Sequence, residues 1–216
     1  MIADRRGFIL EHARPQRPPH VPELVLLLAD EITPIWRLTE DELERQGVPP
    51  PFWAFAWAGG QAVARYLLDH PEEVAGKRVL DFATGSGLVA IAAARAGAAD
   101  VLGSDIDLFC ETAVALNAEA NGVTVRFTSE DLLASDPPDV DLICAGDVSY
   151  EGPMAGRVHA WLRAAHARGI RVLVGDPGRS YLPREGLTLL AEYQVPTTRE
   201  LEDAEVKRCG VWAVMD

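Results

Sequence analysis

A strand, a glycine-rich turn and a helix follow one another in the middle of the chain, and this succession constrains the fold more than any other segment. Arg78-Val79-Leu80-Asp81-Phe82 is a short, mostly apolar run of strand length. Ala83-Thr84-Gly85-Ser86-Gly87 supplies a turn, and Leu88 to Ala96 reads as an Ala-rich helix, apolar on nearly every side. A helix of that kind must be covered all round. A buried strand feeding it through a tight turn is the first half of a strand-helix-strand crossover.

The rest of the chain extends that alternation. Strands are predicted at Asp100 to Gly103, Val123 to Phe127, Asp139 to Ala145 and Ile170 to Gly175. Helices are predicted between them at Phe109 to Ala120 and Gly156 to Ala167. Short apolar strands separated by helices imply a parallel sheet covered on both faces, and right-handed crossovers make it doubly wound. The pattern changes at the C-terminus. Leu187 to Tyr193 reads as a helix or a helix-strand junction. Gln194 to Leu201 and Val206 to Met215 read as a hairpin joined through Glu202-Asp203-Ala204-Glu205, with one strand antiparallel to the others. The expected fold is α/β, a Rossmann-like seven-stranded sheet with a C-terminal antiparallel hairpin.

Residues 1–70 differ in composition and are expected to form an N-terminal extension to a domain spanning 71–216. Prolines cluster at Pro15 to Pro22 and at Pro49 to Pro51, and break up the helices. Short helices are predicted at Pro22 to Glu31 and at Thr39 to Gln46, where Thr39-Glu40-Asp41-Glu42 has a capping-box spacing. Another is predicted from Gln61 to Asp69.

Charge and cysteine content narrow the function classes. A formal net charge of -13 disfavours binding to a phosphate backbone and suits a cationic ligand or a lysine-bearing partner. The three cysteines, Cys110, Cys144 and Cys209, are far apart and imply neither a disulfide framework nor a CxxC site. His159 and His166 share a helix face without metal-ligand spacing. No apolar run is long enough to span a bilayer, and no secretory signal is evident, so a cytoplasmic protein is expected. The further expectations are a monomer, no nucleic acid, no membrane and no metal.

The turn after the first strand predicts a ligand. Gly85 and Gly87 let a ligand reach the backbone, and the helix that follows presents free N–H groups. Asp105, twenty residues after Gly85, stands where an acid accepts from both ribose hydroxyls. Gly85-Ser86-Gly87-Leu88-Val89-Ala90 also satisfies the dinucleotide pattern G-x-G-x-x-[GA]. Asp81 argues against that reading, because a carboxylate at the strand end would repel a pyrophosphate. S-adenosylmethionine brings an ammonium and a sulfonium, and no phosphate. Asp131 could accept from an adenine amine while Leu132 covers the ring, or it could cap its own turn. Trp57 and Gly59-Gly60 could wall the methionine end; for Trp57 core packing is an equal alternative, and Trp53 and Phe55 read as structural.

With those residues placed, the chain resembles the seven-β-strand methyltransferases, within them a protein-lysine branch that carries an acid-x-x-aromatic motif after the fourth strand. Here that motif is Asp147-Val148-Ser149-Tyr150. The likeness narrows to the electron transfer flavoprotein β-subunit lysine methyltransferases and their bacterial relatives through Pro50-Pro51-Phe52-Trp53-Ala54-Phe55-Ala56-Trp57-Ala58-Gly59-Gly60-Gln61, Gly146 to Glu151, and Gly175-Asp176-Pro177-Gly178-Arg179. It runs from about Val21 to the C-terminus. The resemblance implies S-adenosylmethionine as cofactor and a lysine of the electron transfer flavoprotein β subunit as acceptor. It also implies that Asp147 holds the incoming amine and that Tyr150 walls it, unless Asp147 caps the following helix. The expected cofactor set is Trp57, Gly59, Asp81, Gly85, Ser86, Gly87, Asp105, Ile106, Asp131, Leu132 and Asp147. Asp176 to Arg179 is expected to shape the substrate entrance. Ala83 departs from the pattern, since many relatives carry glycine there. Competing readings are a methyltransferase acting on a ribosomal protein or a small amine, and an NAD-linked oxidoreductase.

Overall fold

The computed structural model describes residues 4–29 and 50–215. The helix expected at Thr39 to Gln46 lies outside them. A seven-stranded sheet forms the centre, in the order β5-β4-β3-β6-β7-β9-β8. Its strands are β3 (Arg78–Phe82), β4 (Asp100–Ser104), β5 (Arg126–Thr128), β6 (Leu142–Gly146), β7 (Arg171–Asp176), β8 (Leu187–Pro196) and β9 (Val206–Val214). β3 to β7 pair in parallel, and β9 runs antiparallel to both of its neighbours. The doubly wound sheet and the terminal hairpin are as the alternation implies.

The side-chain period of two sends alternate strand residues to opposite cores. Val79, Leu142, Cys144 and Leu173 pack under α2 (Ala58–Asp69) and α3 (Leu88–Arg95). Leu80, Ile143 and Val172 pack under α5 (Gly152–Ala167), against Trp161 and Leu162. All six of those strand leucines, isoleucines and valines are fully or almost fully buried, each worth about 1.5–3 kcal/mol. α4 (Leu108–Asn121) starts behind Asp107, whose carboxylate accepts from the Phe109 amide, and stops at the left-handed Gly122.

Two expectations are corrected. Leu187 to Tyr193 is not helical: it is the first part of β8, paired from Leu187 opposite Val214 to Pro196 opposite Val206, with a bulge between Leu189 and Ala191. The apolar residues there suit either period, and the open edge of β9 supplied the hydrogen bonds that decided it. The connector is correspondingly longer and includes a short helix α6 (Arg199–Glu202).

Pro22 to Glu31 is also not a helix over its described part. Leu26–Leu28 forms β2, antiparallel to β1 (Arg14–Gln16), which follows α1 (Arg5–His12). Asparagines of α4 make this possible. Asn117 Oδ1 accepts from the Leu27 amide at 2.7 Å, and Asn121 Oδ1 accepts from the Val25 amide at 3.0 Å. Side-chain amides thus take the place that an intrahelical ladder would fill.

Glycines set the position of α2. Its first turn crosses the ends of β6 and β7 so closely that a methyl on Gly175 would stand 2.2 Å from the Gly59 carbonyl oxygen and 2.5 Å from Val63. One on Gly146 would stand 2.7 Å from the Gly60 Cα. We expect Gly175→Ala to destabilise the fold by about 1–3 kcal/mol through overpacking. Chemical denaturation measures this, and an unchanged midpoint would contradict so tight a crossing.

Candidate active site

The loop between β3 and α3 is wound by left-handed residues: Ala83 at φ 54, Gly85 at φ 52 and Gly87 at φ 83. Gly87 caps α3 and lies so close to α4 that a Cβ would come 3.1 Å from Val114. Ala83 takes a conformation that costs a non-glycine residue about 1–2 kcal/mol. The loop is also tied to the N-terminal segment, because the Asn117 side chain that accepts from Leu27 donates to the Ser86 carbonyl at 2.8 Å.

Carboxylates surround this loop. Asp81 is buried at the end of β3, and its Oδ2 accepts from the Thr84 hydroxyl at 2.5 Å and the Ala90 amide at 2.9 Å. The structure therefore shows Asp81 capping its own loop and helix. Burial pushes its pKa up to about 7, with the Thr84 and Ala90 bonds opposing and the charge of Asp105 adding to the rise. Asp105 bridges two loops, accepting from the Gly85 amide on one oxygen and the Asp107 amide on the other, each at 3.1 Å. Burial also raises Asp107, to about 6, with Asp105 again contributing. Two acids that resist ionising beside the charge of Asp105 form a poor seat for a pyrophosphate and a good one for a cation.

A second cluster lies across the ends of β6 and β7. Asp147 directly follows β6 in the left-handed region, at φ 57. Its Oδ2 accepts from the Gly59 amide at 2.6 Å, and its Oδ1 accepts from Arg179 Nε at 2.9 Å. Arg179 Nη2 also reaches Glu202, at 3.1 Å from Oε1 and 3.0 Å from Oε2. Burial raises the Asp147 pKa to about 6; Arg179 pulls it down and Glu202 pushes it up. Asp147 does not cap the helix after it. Glu151 does that, accepting from the Met154 amide. Instead, Asp147 and Glu202 receive the first amides of α2, Glu202 Oε1 lying 3.4 Å from the Ala58 nitrogen.

The Arg179 loop has its own support. Asp176 Oδ1 accepts from the Gly178 and Arg179 amides at 2.7 and 2.6 Å. Ser149 Oγ lies 2.9 Å from His159 Nε2 in the interior. Burial lowers the His159 pKa to about 4, so the imidazole is neutral and serves the network without a charge.

Not every expected residue joins these clusters. Trp57 is half-buried at the start of α2 and donates from Nε1 to the Phe52 carbonyl. Tyr150 is half exposed; Phe52 lies between the two aromatics, its centroid 5.9 Å from Trp57 and 5.8 Å from Tyr150. Trp53 is buried against Phe109, the structural role expected of it. Ser86 and Leu132 are buried, whereas Ile106 projects into solvent beside Asp105. Asp131 is exposed and caps its own turn through the Leu133 amide. Glu202 and Asn117 carried no recognisable motif in the sequence, and Phe52 stood there only as part of the phrase Pro50 to Gln61, with no role of its own. The only signal of Glu202 and Asn117 is their chain position, which becomes meaningful once the hairpin and α4 are placed.

A cavity of about 630 Å³ lies at the other end of the strands, by the start of β8 and the end of β9, lined by Arg163, His166, Arg184 and Met215 among others. A smaller one, about 250 Å³, opens beside the second cluster and is lined by Tyr150, Pro177 to Tyr181, and Lys207. Among the described residues no group of His, Cys, Asp or Glu could hold a metal ion.

Comparison with known proteins identifies relatives of this arrangement. Residues 65–146 match the family model described as ribosomal protein L11 methyltransferase (PrmA). Over 97% of this chain and 83% of the relative, the sequence is 35% identical to the electron transfer flavoprotein beta subunit lysine methyltransferase of Danio rerio. The Xenopus laevis protein of the same name is 37% identical over 96% of this chain and 86% of its own. Among solved structures, the magnesium protoporphyrin IX methyltransferase of Synechocystis, with bound SAH, superposes with a TM-score of 0.52 at 21% identity, over 73% of this chain and 81% of that one. That likeness speaks to the fold.

The buried Asp81 gives a stability test. Its pKa is raised on folding, so its contribution is fully present below about pH 4 and is lost as pH rises through about 7. Asp81→Asn keeps an acceptor for Thr84 and Ala90 and removes that titration. The variant's stability relative to wild type should therefore improve steadily from pH 4 to pH 8 in urea denaturation. A pH-independent difference would contradict the raised pKa.

Proposed function

Since the chain belongs to the electron transfer flavoprotein β-subunit lysine methyltransferase family, we propose that it transfers methyl groups from S-adenosylmethionine to a lysine of the electron transfer flavoprotein β subunit. The observation that carries this is the breadth of the likeness: it extends over 97% of the chain, across both the glycine loop and the acid cluster beyond β6. The ribosomal L11 model, by contrast, ends at Gly146, one residue before Asp147. It covers the part of the fold that many acceptor chemistries share.

The residues present fit this cofactor. Each oxygen of Asp105 accepts one backbone amide and keeps further lone-pair capacity for a ribose hydroxyl. Asp81, poised near neutrality, favours a cation over the loop because ionisation then gains a partner. Gly85 and Ser86 bring backbone to the same place, and Trp57 closes the end nearest α2. When bound, S-adenosylmethionine supplies a methyl group already activated on a positively charged sulfur.

The chain's own groups then act on the acceptor. A free lysine has a pKa of about 10.4 and must lose a proton before it can attack. Asp147 carries the charge that draws the ammonium in, by a charge-assisted hydrogen bond. Tyr150 and Phe52 form an apolar rim that strips water from the amine and favours the neutral form. Water takes the released proton, and no side chain needs to be a strong base. Cys110, Cys144 and Cys209 are free and buried, which supports a reducing compartment such as the cytoplasm.

Two measurements test this reading. Mixing the protein with labelled cofactor and purified electron transfer flavoprotein β subunit should place label on lysine, seen by mass spectrometry. Asp147→Ala should lower that rate about a hundredfold, the equivalent of roughly 2–3 kcal/mol for a lost charged hydrogen bond. Its cofactor affinity should stay near wild type. Asp105→Ala should weaken cofactor binding about tenfold or more by calorimetry. Full turnover of the first variant, or full affinity of the second, would overturn the assigned roles.

A further inference from the structure

We propose that the 250 Å³ cavity beside Tyr150 is the acceptor entrance, and that Arg179 is its resident counter-ion, sharing Asp147 with the incoming amine and reducing the charge of the Asp147–Glu202 pair from two to one. The inference deepens the lysine-methyltransferase reading above and rests on it.

The geometry begins with what the cavity meets. Tyr150 and Tyr181, each about half exposed at 50% and 53%, are two of its walls. Two aromatic faces suit the aliphatic stem of a lysine and attract its ammonium. Arg179 also lines the cavity, and behind it lie Asp147 and Glu202, almost wholly buried. An amine entering between the tyrosines therefore meets the guanidinium before the acids. Both oxygens of Asp147 are already engaged, Oδ2 by Gly59 and Oδ1 by Arg179. The Gly59 bond comes from a backbone fixed by the glycine crossing. The Arg179 bond comes from a side chain whose exposure is 26%, and so it is the one that can yield. Glu202 Oε2, fully enclosed and 3.0 Å from the guanidinium without a directed hydrogen bond, gives Arg179 somewhere to go as Asp147 turns to the amine.

Charge explains why such a residue is useful. Asp147 and Glu202 bring two negative charges and Arg179 one positive, leaving one on these three groups. From β7 and its loop, Asp176 adds a further acid beside Arg179, its Oδ1 accepting from the Gly178 and Arg179 amides; it is common to every variant below and cancels from their differences. From β9, Cys209 feels all four charges, and burial holds its thiol up at about 12, so it stays neutral. Lys207 is paired with Asp203 at 3.4 Å. Two unbalanced acids would bind an ammonium tightly and hold its proton on. One net charge attracts the ammonium and lets the proton leave at a lower pH. Arg179 is thus a positioning residue that sets the charge felt by the amine.

The test has two readouts. The first is the pH profile of kcat for lysine methylation, which reports the pKa of the bound complex. The second is NMR titration of the cofactor-free protein with n-butylammonium, a lysine side-chain surrogate. Arg179→Gln should bind n-butylammonium several-fold more tightly and move the acidic limb of the profile up by about one unit or more. Glu202→Gln should weaken binding and move the limb down. The double variant R179Q/E202Q restores one net negative charge and should return both readouts towards wild type, as should Arg179→Lys. A limb and an affinity that ignore these charge changes would overturn the inference. If Arg179→Gln fails to fold, Glu202→Gln and the double variant decide it in the same way. If the wild type methylates no lysine while the n-butylammonium affinities follow the charge, the substrate reading has failed and the counter-ion has not.

Discussion

The arrangement depends on the contact of α2 with the ends of β6 and β7. There Gly59, Gly60, Gly146 and Gly175 bring main chain against main chain, with no room for a Cβ at Gly59, Gly146 or Gly175. Only this approach allows the Gly59 amide to reach the carboxylate of Asp147 at 2.6 Å. Two otherwise costly features then support each other. The first turn of a helix has amides without partners, and Asp147 and Glu202 are acids without water. Each satisfies the other, and the positive end of the helix dipole adds to the match.

Acids occur in two clusters whose burial serves different chemistry. Around the glycine loop, burial and the neighbouring charge of Asp105 make Asp81 and Asp107 costly to ionise, which makes a bound cation welcome. Beyond β6, Arg179 compensates Asp147 and Glu202 directly. The exposed aromatic Phe52 lies between Trp57, at the start of α2, and Tyr150. Tyr150 itself is raised in pKa by burial and then by Asp105, Glu151 and Asp147, which places it within reach of charges from both clusters. A methyl donor and a methyl acceptor held on either side of this rim would meet at its edge. Backbone strain marks both clusters as well, since Ala83 and Asp147 are two of the three non-glycine residues with positive φ among those described.

Much of this was legible residue by residue. The strand Arg78–Phe82 and its turn were readable because an apolar run, paired glycines and an Ala-rich helix are local signals. Asp105 was readable because its spacing from Gly85 follows from one crossover, and the bond between them confirms that the two segments meet. The role of Asp81 was only half visible: its place at the strand end was clear, but not that Thr84 and Ala90 would occupy it. Leu187 to Tyr193 and Pro22 to Glu31 were misread because their apolar residues fit either period, and the partners that decided them lie far along the chain in β9 and α4. Glu202 was invisible as a site residue, since nothing near it in sequence distinguishes it from other acids of a connector.

The sequence alone thus determined the alternation of strands and helices, the glycine turn and the family likeness, because each rests on interactions between residues close in the chain. Tertiary structure alone decided which amide Asp147 holds, that Arg179 and Glu202 share its enclosure, and that Tyr150 and Tyr181 line a cavity together with Arg179. These are contacts across dozens of residues, and their energies depend on burial and distance, quantities that exist only once the chain has closed on itself.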